Sequence, residues 1–255
     1  MQKRLVMRCR QRSWRGRSGG RTSSLPRNYG TPIIVLNGAI PYLTRVSGDS
    51  NSTMPIAISF MPPFAFRPGD EQDPRDERGR VIHDSGVSLV DTWRALEHLV
   101  DAGHCNSIGL ADVALEKLRE IAAVARIKPA VVQVESHPYL PEWDLLDFCR
   151  EHGIVLLAFA ALGHRLSPKV LDDPVITTIA RRVHKTPGQV ALARAVQRGT
   201  TFLTTSTTPR YIQENFEISA LPEDAMQEIR EGITTNVRFN AAVGIGVPGF
   251  IPRVR

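Results

Sequence analysis

Residues 128–139 read Lys128-Pro129-Ala130-Val131-Val132-Gln133-Val134-Glu135-Ser136-His137-Pro138-Tyr139. A short apolar run of β-branched residues passes directly into a polar cluster and a proline. That pattern predicts a buried parallel strand whose C-terminal end opens into a site. In an α/β barrel such strand ends are where ligands and chemistry sit. Strand-plus-helix units flank the stretch on both sides, so the rest of the fold is read outward from it.

Upstream, residues 56–61 predict a strand closed by Pro62-Pro63, and a polar loop rich in turn residues runs over 67–80. Ser88 is positioned to cap a helix with apolar positions at Leu89, Trp93, Leu96, Leu99 and Val100, stopped by Gly103. A strand is predicted over 105–110 and a helix over 115–125. Downstream, a helix over 142–151 turns Leu145, Leu146 and Cys149 inward, Gly153 ends it, and 154–159 is the most strand-like run in the chain. Helices follow over 173–183 and 187–197, the second opened by Thr186-Pro187, an N-cap with proline at N1. A strand over 201–205 and helices over 209–216 and 222–231 complete the series. Alternating strands and helices with short connections indicate a parallel α/β fold. The expected fold is a (β/α)8 TIM-barrel type over residues 54–255, present as its last five βα units where a closed barrel needs eight.

Residues 1–53 form a separate, irregular basic segment, with only 33–36 resembling a strand. The first 30 residues hold nine Lys or Arg and no Asp or Glu, so the net charge of +6 leaves −3 on the other 225 residues. The basic balance belongs to this segment, and the body offers no basic face for nucleic acid. The segment is read as lying outside the fold; a disordered arm touching RNA, DNA or acidic lipid and an organelle transit peptide are the competing readings. No apolar run approaches the roughly 18–20 residues that span a bilayer. The three cysteines, Cys9, Cys105 and Cys149, are widely spaced without a CxxC pair. They indicate a reducing compartment, such as the cytoplasm, with neither a disulfide scaffold nor a zinc site.

From Pro55 onward the chain resembles the aldo-keto reductases. The resemblance rests on Phe64-Ala65-Phe66-Arg67-Pro68-Gly69-Asp70 with Asp91-Thr92-Trp93-Arg94-Ala95-Leu96, on Ser107-Ile108-Gly109-Leu110, and on the opening stretch. It extends through Lys185-Thr186-Pro187, Thr205-Ser206-Thr207-Thr208-Pro209 and Glu214-Asn215. It implies a (β/α)8 barrel that reduces aldehydes or ketones with NADPH. The family's tetrad is a tyrosine acid, a lysine paired to an aspartate, and a histidine that orients the carbonyl. The first three belong to βα units that nothing before Pro55 resembles. Met61 falls at the histidine's position, and a thioether cannot donate the hydrogen bond that polarises a carbonyl. No catalytic residue is therefore assigned, and impaired activity is expected.

The resemblance places the cofactor contacts more fully. Gln133 stands where the family's glutamine bonds the nicotinamide amide, and Ala111 and Asp112 replace its serine and asparagine. Ala111 cannot bond, and Asp112, as a carboxylate, accepts only. Phe159 takes the place of the ring that stacks on the nicotinamide, with Leu162 in the segment after it. Ser206, Thr207 and Thr208, with Glu214 and Asn215, match the adenosine phosphate end. Thr205 and Tyr211 replace a lysine and an arginine, a loss on the order of several kcal/mol for partly buried pairs. Weak NADP(H) binding is expected, with little preference over NADH. Arg194 stands at a usual tryptophan position, implying a surface-turned or destabilising side chain.

Other residues read more plainly. His137 is expected to be a structural hydrogen-bonder beside Pro138, Trp93 a core residue, and Trp143 either core or cleft wall. The remaining histidines lack metal spacing, and Asp70, Glu71 and Asp73 read as a solvated charge run. Three functions stay open: an impaired carbonyl reductase, a non-catalytic dinucleotide- or partner-binding remnant associating through exposed sheet edges, and nucleic-acid association through the Arg-rich arm. Residues 1–53 are further expected to stand in place of an authentic first third, through truncation, splicing or a frame change.

Overall fold

The computed structural model describes residues 75–79, 82, 84, 86–103 and 105–240, together with the backbone pairing of 42–45 and 57–61. In chain order the elements are β1 (Tyr42–Arg45), β2 (Ala57–Met61), α1 (Leu89–Asp101), β3 (Gly109–Ala111), α2 (Leu115–Val124), β4 (Val131–Glu135) and α3 (Trp143–Glu151). There follow β5 (Val155–Phe159), α4 (Pro174–Arg182), α5 (Pro187–Gln197), β6 (Thr201–Phe202), α6 (Pro209–Phe216) and α7 (Glu223–Gly232).

The strands form one sheet in the order β1-β2-β3-β4-β5-β6. Strands β2 to β6 are all parallel, and β1 lies antiparallel on β2. Sequential parallel neighbours joined by helices are the local plan of a (β/α)8 barrel. Among the described residues the sheet is open, with β1 and β6 at its edges.

The helices begin where their caps dictate. Ser88 and Asp91 form a capping box at α1, and Thr186 and Gln189 form another at α5, each satisfying orphan N–H groups of a first turn. Asp173 caps α4 by accepting from Val175 N–H at 2.8 Å. One apolar cluster joins Trp93 and Leu96 of α1, Leu118 and Ile121 of α2, Val132 and Val134 of β4, and Leu145 and Leu146 of α3. A second gathers Ile176, Ile179, Val190, Ala225 and Ile229 from α4, α5 and α7. Trp93 is fully core, and its indole N–H donates to Ile127 O at 3.2 Å.

Strand β1 falls inside the segment read as having no strand signal there; four residues at a sheet edge are too short to display a period of two. The strand suggested at 33–36 lies outside the described residues, as do 64–70 and the loop acids Asp70, Glu71 and Asp73. Strand β3 is shorter than the predicted 105–110. Cys105 and Ile108 are buried in the core, yet only Gly109–Ala111 form the ladder.

Arg194 is not surface-turned. It is 4% exposed, with its guanidinium 5.8 Å from the centre of the Trp143 ring. Arg198 and Arg230 approach the same ring at 4.2 and 4.8 Å. A cation–π contact contributes about 0.5–2 kcal/mol, whereas taking an ion out of water costs several kcal/mol. The stack offsets only part of the cost. Burial lowers the Arg194 pKa to about 10. Burial, then the neighbouring Arg194 and Arg150, bring Arg198 to about 9. Both remain cations at neutral pH.

Candidate functional site at the strand ends

Three adjacent strand ends bring the nicotinamide-end candidates together. Ala111 pairs with Gln133 across β3 and β4, and Glu135 pairs with Phe159 across β4 and β5. Asp112 follows directly, its N–H donating to Gln133 O at 2.9 Å. Val132 and Val134 pack into the core under the helices, so alternation turns Gln133 to the opposite face of the sheet. There it is half-buried, and its side-chain amide bonds no described residue. Asp112 has φ of +50°, a left-handed conformation that aspartate and asparagine tolerate better than most residues.

The expectation that Asp112 only accepts hydrogen bonds changes here. Burial raises its pKa to about 6, with Arg238 pulling down and Glu135 pushing up. Below that pH the group carries a proton and donates. Sequence alone had no measure of that burial.

Immediately beside these residues lies a buried carboxylate that the sequence reading did not assign. Glu135 is fully buried and accepts from Phe239 N–H at 2.6 Å and Asn240 N–H at 2.8 Å. His137 Nε2 lies 2.9 Å from the same carboxylate. The segment 237–240 is further held by Val237 N–H donating to Tyr139 O at 3.0 Å, by an Arg238–Glu142 ion pair, and by Asn240 Nδ2 at 3.0 Å from His164 Nε2. Glu135 thus ties the C-terminal segment across the end of β4. Its signal was the rule that a carboxylate inside an apolar strand must be paired. His137 is the structural hydrogen-bonder expected of it. Burial holds its imidazole below the usual value, against the opposing pull of Glu135.

The phosphate-end candidates leave the same side of the sheet. Strand β6 pairs with β5, and Leu203 N–H donates to Ala158 O at 2.8 Å, so the chain through Ser206, Thr207 and Thr208 departs beside the end of β5. Ser206 Oγ accepts from Thr208 N–H at 3.1 Å at the entry to α6. On α6, Tyr211 is exposed, and Glu214 and Asn215 are half-buried. Arg210 Nε donates to Glu214 at 2.6 Å. Leu162 is half-buried just after β5, before a short 3-10 turn (Gly163–Arg165).

Met61 closes β2, paired with Leu110, which is the strand-end position expected for the family's histidine. Tyr139 is not free to act as a proton-donating acid. Its hydroxyl donates to Asp173 at 2.9 Å, and burial together with that carboxylate raises its pKa.

Comparison with known proteins agrees with this fold. The model of the aldo/keto reductase family matches residues 70–233. The chain belongs to the aldo-keto reductase family. It is 41% identical over 202 residues to prostaglandin F synthase 1 of Bos taurus, which covers 74% of this chain and 62% of that protein. The figures for dihydrodiol dehydrogenase 3 of Bos taurus are the same. Among solved structures, an aldose reductase from Schistosoma japonicum superposes with a TM-score of 0.70 at 30% identity, over 76% of this chain and 63% of that one. The chain thus spans about three-fifths of the length of these relatives.

Proposed function

We propose that this aldo-keto reductase chain binds NADP(H) across the C-terminal ends of β3 to β6 and has an impaired capacity to reduce aldehydes or ketones. The observation that carries the reading is the convergence of Asp112, Gln133 and Phe159 on three adjacent strand ends. When bound, NADPH supplies a hydride to a carbonyl carbon. Gln133, whose side-chain amide bonds no described residue, fits the nicotinamide amide as both donor and acceptor. Asp112 fits it as a donor once protonated. Ser206, Thr207 and Thr208 offer hydroxyls to the 2′-phosphate, while Thr205 and Tyr211 bring no cation. The nicotinamide end therefore fits the cofactor better than the phosphate end. Impairment follows from Met61, which lacks a donor, and from Tyr139, whose proton is committed to Asp173.

No helix among the described residues is long and apolar enough to cross a membrane. Cys105 and Cys149 are both free and buried, which supports a reducing compartment such as the cytoplasm. The open sheet supports a second reading, pairing of two copies through the β6 edge; light scattering across a concentration series would detect it.

The reading is tested by fluorescence titration of the purified chain with NADPH, beside Gln133→Ala. Binding at least tenfold weaker in the variant is expected. Equal affinity in both proteins would remove Gln133, and with it this placement of the cofactor.

A further inference from the structure

We propose that Arg194, Arg198 and Arg230, gathered on Trp143, form a binding site for a small oxyanion, a carboxylate or inorganic phosphate, built from α3, α5 and α7 and distinct in its residues from the dinucleotide contacts. The site follows from how the helices are written. Arg194 in the last turn of α5 and Arg198 at its C-cap stand four residues apart and so lie on one side of the helix end. Trp143 is the first residue of α3, and Arg230 lies in the last turn of α7.

The positive charge gathered there is only partly compensated among the described residues, where Asp147 and Glu142 favour the Arg198 cation from a distance. Among the described residues no carboxylate lies within 4 Å of Arg194, Arg198 or Arg230. The acids nearby are committed elsewhere, Glu142 to Arg238 and Asp147 to Arg150. Hydrogen bonding is equally incomplete. Arg198 is 5% exposed and spends Nη2 on Pro141 O at 2.5 Å, while its Nε and Nη1 are buried without a partner. Arg194 is as deeply buried and makes no hydrogen bond to a described residue. A guanidinium cannot escape by losing its proton, and the contacts with Trp143 do not cover the loss of water.

An oxyanion would supply both the acceptors and the counter-charge. Planar guanidinium forks match the paired oxygens of carboxylate or phosphate, and such bonds are among the strongest available to a protein. Access is open on one side, because Arg230 is exposed and Trp143 is only half-buried. The exposed cation draws the ion in, and the orphaned nitrogens of Arg198 receive it.

The test uses the full chain and two readouts, the melting temperature and Trp emission. Inorganic phosphate and acetate are titrated separately against chloride at matched ionic strength. A saturable rise in melting temperature is expected with at least one oxyanion, with a matching change in emission that Trp143→Phe abolishes. Arg194→Met is expected to melt higher than the native chain in chloride, because it removes an uncompensated cation, and to bind the oxyanion at least tenfold more weakly. Arg198→Met is expected to lose the response as well. A Ser206→Ala/Thr207→Ala variant, altered at the phosphate end of the dinucleotide site, is expected to retain it. The proposal is overturned if no oxyanion gives a saturable response, if Arg194→Met melts lower and keeps the response, or if the response vanishes with Ser206 and Thr207.

Discussion

Replacing Glu135 with alanine is the most informative single perturbation of the strand-end site. The carboxylate receives two backbone N–H groups, from the half-buried Phe239 and Asn240, and sits 2.9 Å from the buried His137 Nε2. Hydrogen bonds to a charged group contribute about 1.5–3 kcal/mol each, but within one network these do not add. Removing one partner of a buried charged cluster costs about 3–5 kcal/mol, and that is the loss expected for Glu135→Ala. Against a typical total stability of about 5–15 kcal/mol, this is a large share. Glu135→Gln keeps the shape and one acceptor but turns an NH2 toward a donor, so about half the loss is expected. Urea unfolding followed by circular dichroism gives the free energies. Hydrogen exchange at amides 239 and 240 reports whether the C-terminal segment comes loose first. A loss below about 1 kcal/mol, with unchanged exchange at those amides, would refute the anchoring argument.

The same cluster sets a pH window. Burial pushes the Glu135 carboxyl up, but the bonds from His137, Phe239 and Asn240 outweigh it and hold the group below its ordinary 4.5. Burial likewise holds His137 below its ordinary 6.5. In both cases the unfolded chain binds the proton more readily, so the stabilisation is present above the unfolded value and is lost as pH falls. Stability contributed by His137 should begin to decline below about pH 6.5, and that from Glu135 below about 4.5.

Asp112 has the opposite sign. Its raised folded value of about 6, against 3.8, means a penalty that is fully present above pH 6 and relieved as pH falls toward 4. Asp112→Asn should therefore gain roughly 1–2 kcal/mol at pH 7, after allowance for solvent screening, and should bind NADPH more tightly; unfolding curves at pH 5 and 7 would check the pH dependence. Thr186→Ala removes the bond to Gln189 N–H, at 3.3 Å, that opens α5, and should cost about 1 kcal/mol in urea unfolding. Thr205→Lys with Tyr211→Arg restores two cations beside Ser206 and should tighten NADPH binding at least tenfold over NADH, as read by paired titrations.

The helices were legible because their signals are local. Ser88 with Asp91, Thr186 with Pro187 and Gln189, and Gly103 and Gly153 mark boundaries within a residue or two of those observed. The buried faces of α1, α2 and α3 were equally visible in the spacing of Leu89, Trp93 and Leu96, of Leu118 and Ile121, and of Leu145, Leu146 and Cys149. Short strands were harder. Strand β1 has too few residues for a pattern, and the ladder at β3 begins only at Gly109, although Cys105 and Ile108 are buried and Ile108 O already accepts from Ala130 N–H at 2.9 Å.

At the candidate site, the resemblance named Ala111, Asp112, Gln133 and Phe159, and their convergence required only that neighbouring strands be parallel and in register. What escaped was anything decided by distant partners. Glu135 finds its donors 104 and 105 residues away, on backbone N–H groups that carry no side-chain signature. Arg194 read as an isolated charge because Trp143, Arg198 and Arg230 come together only when α3, α5 and α7 pack. The raised pKa of Asp112 depends on burial that no spacing rule supplies.

What we propose is that Asp112, Gln133 and Phe159 hold the nicotinamide end of NADP(H), and that among the described residues no side chain donates a proton to a carbonyl as the family's acid does. Measuring NADPH binding by fluorescence, together with NADPH consumption in the presence of a generic aldehyde, tests it most directly. The account predicts saturable binding with turnover near background. Rapid aldehyde-dependent consumption would contradict it, because some residue other than Met61 and Tyr139 would then be supplying the proton.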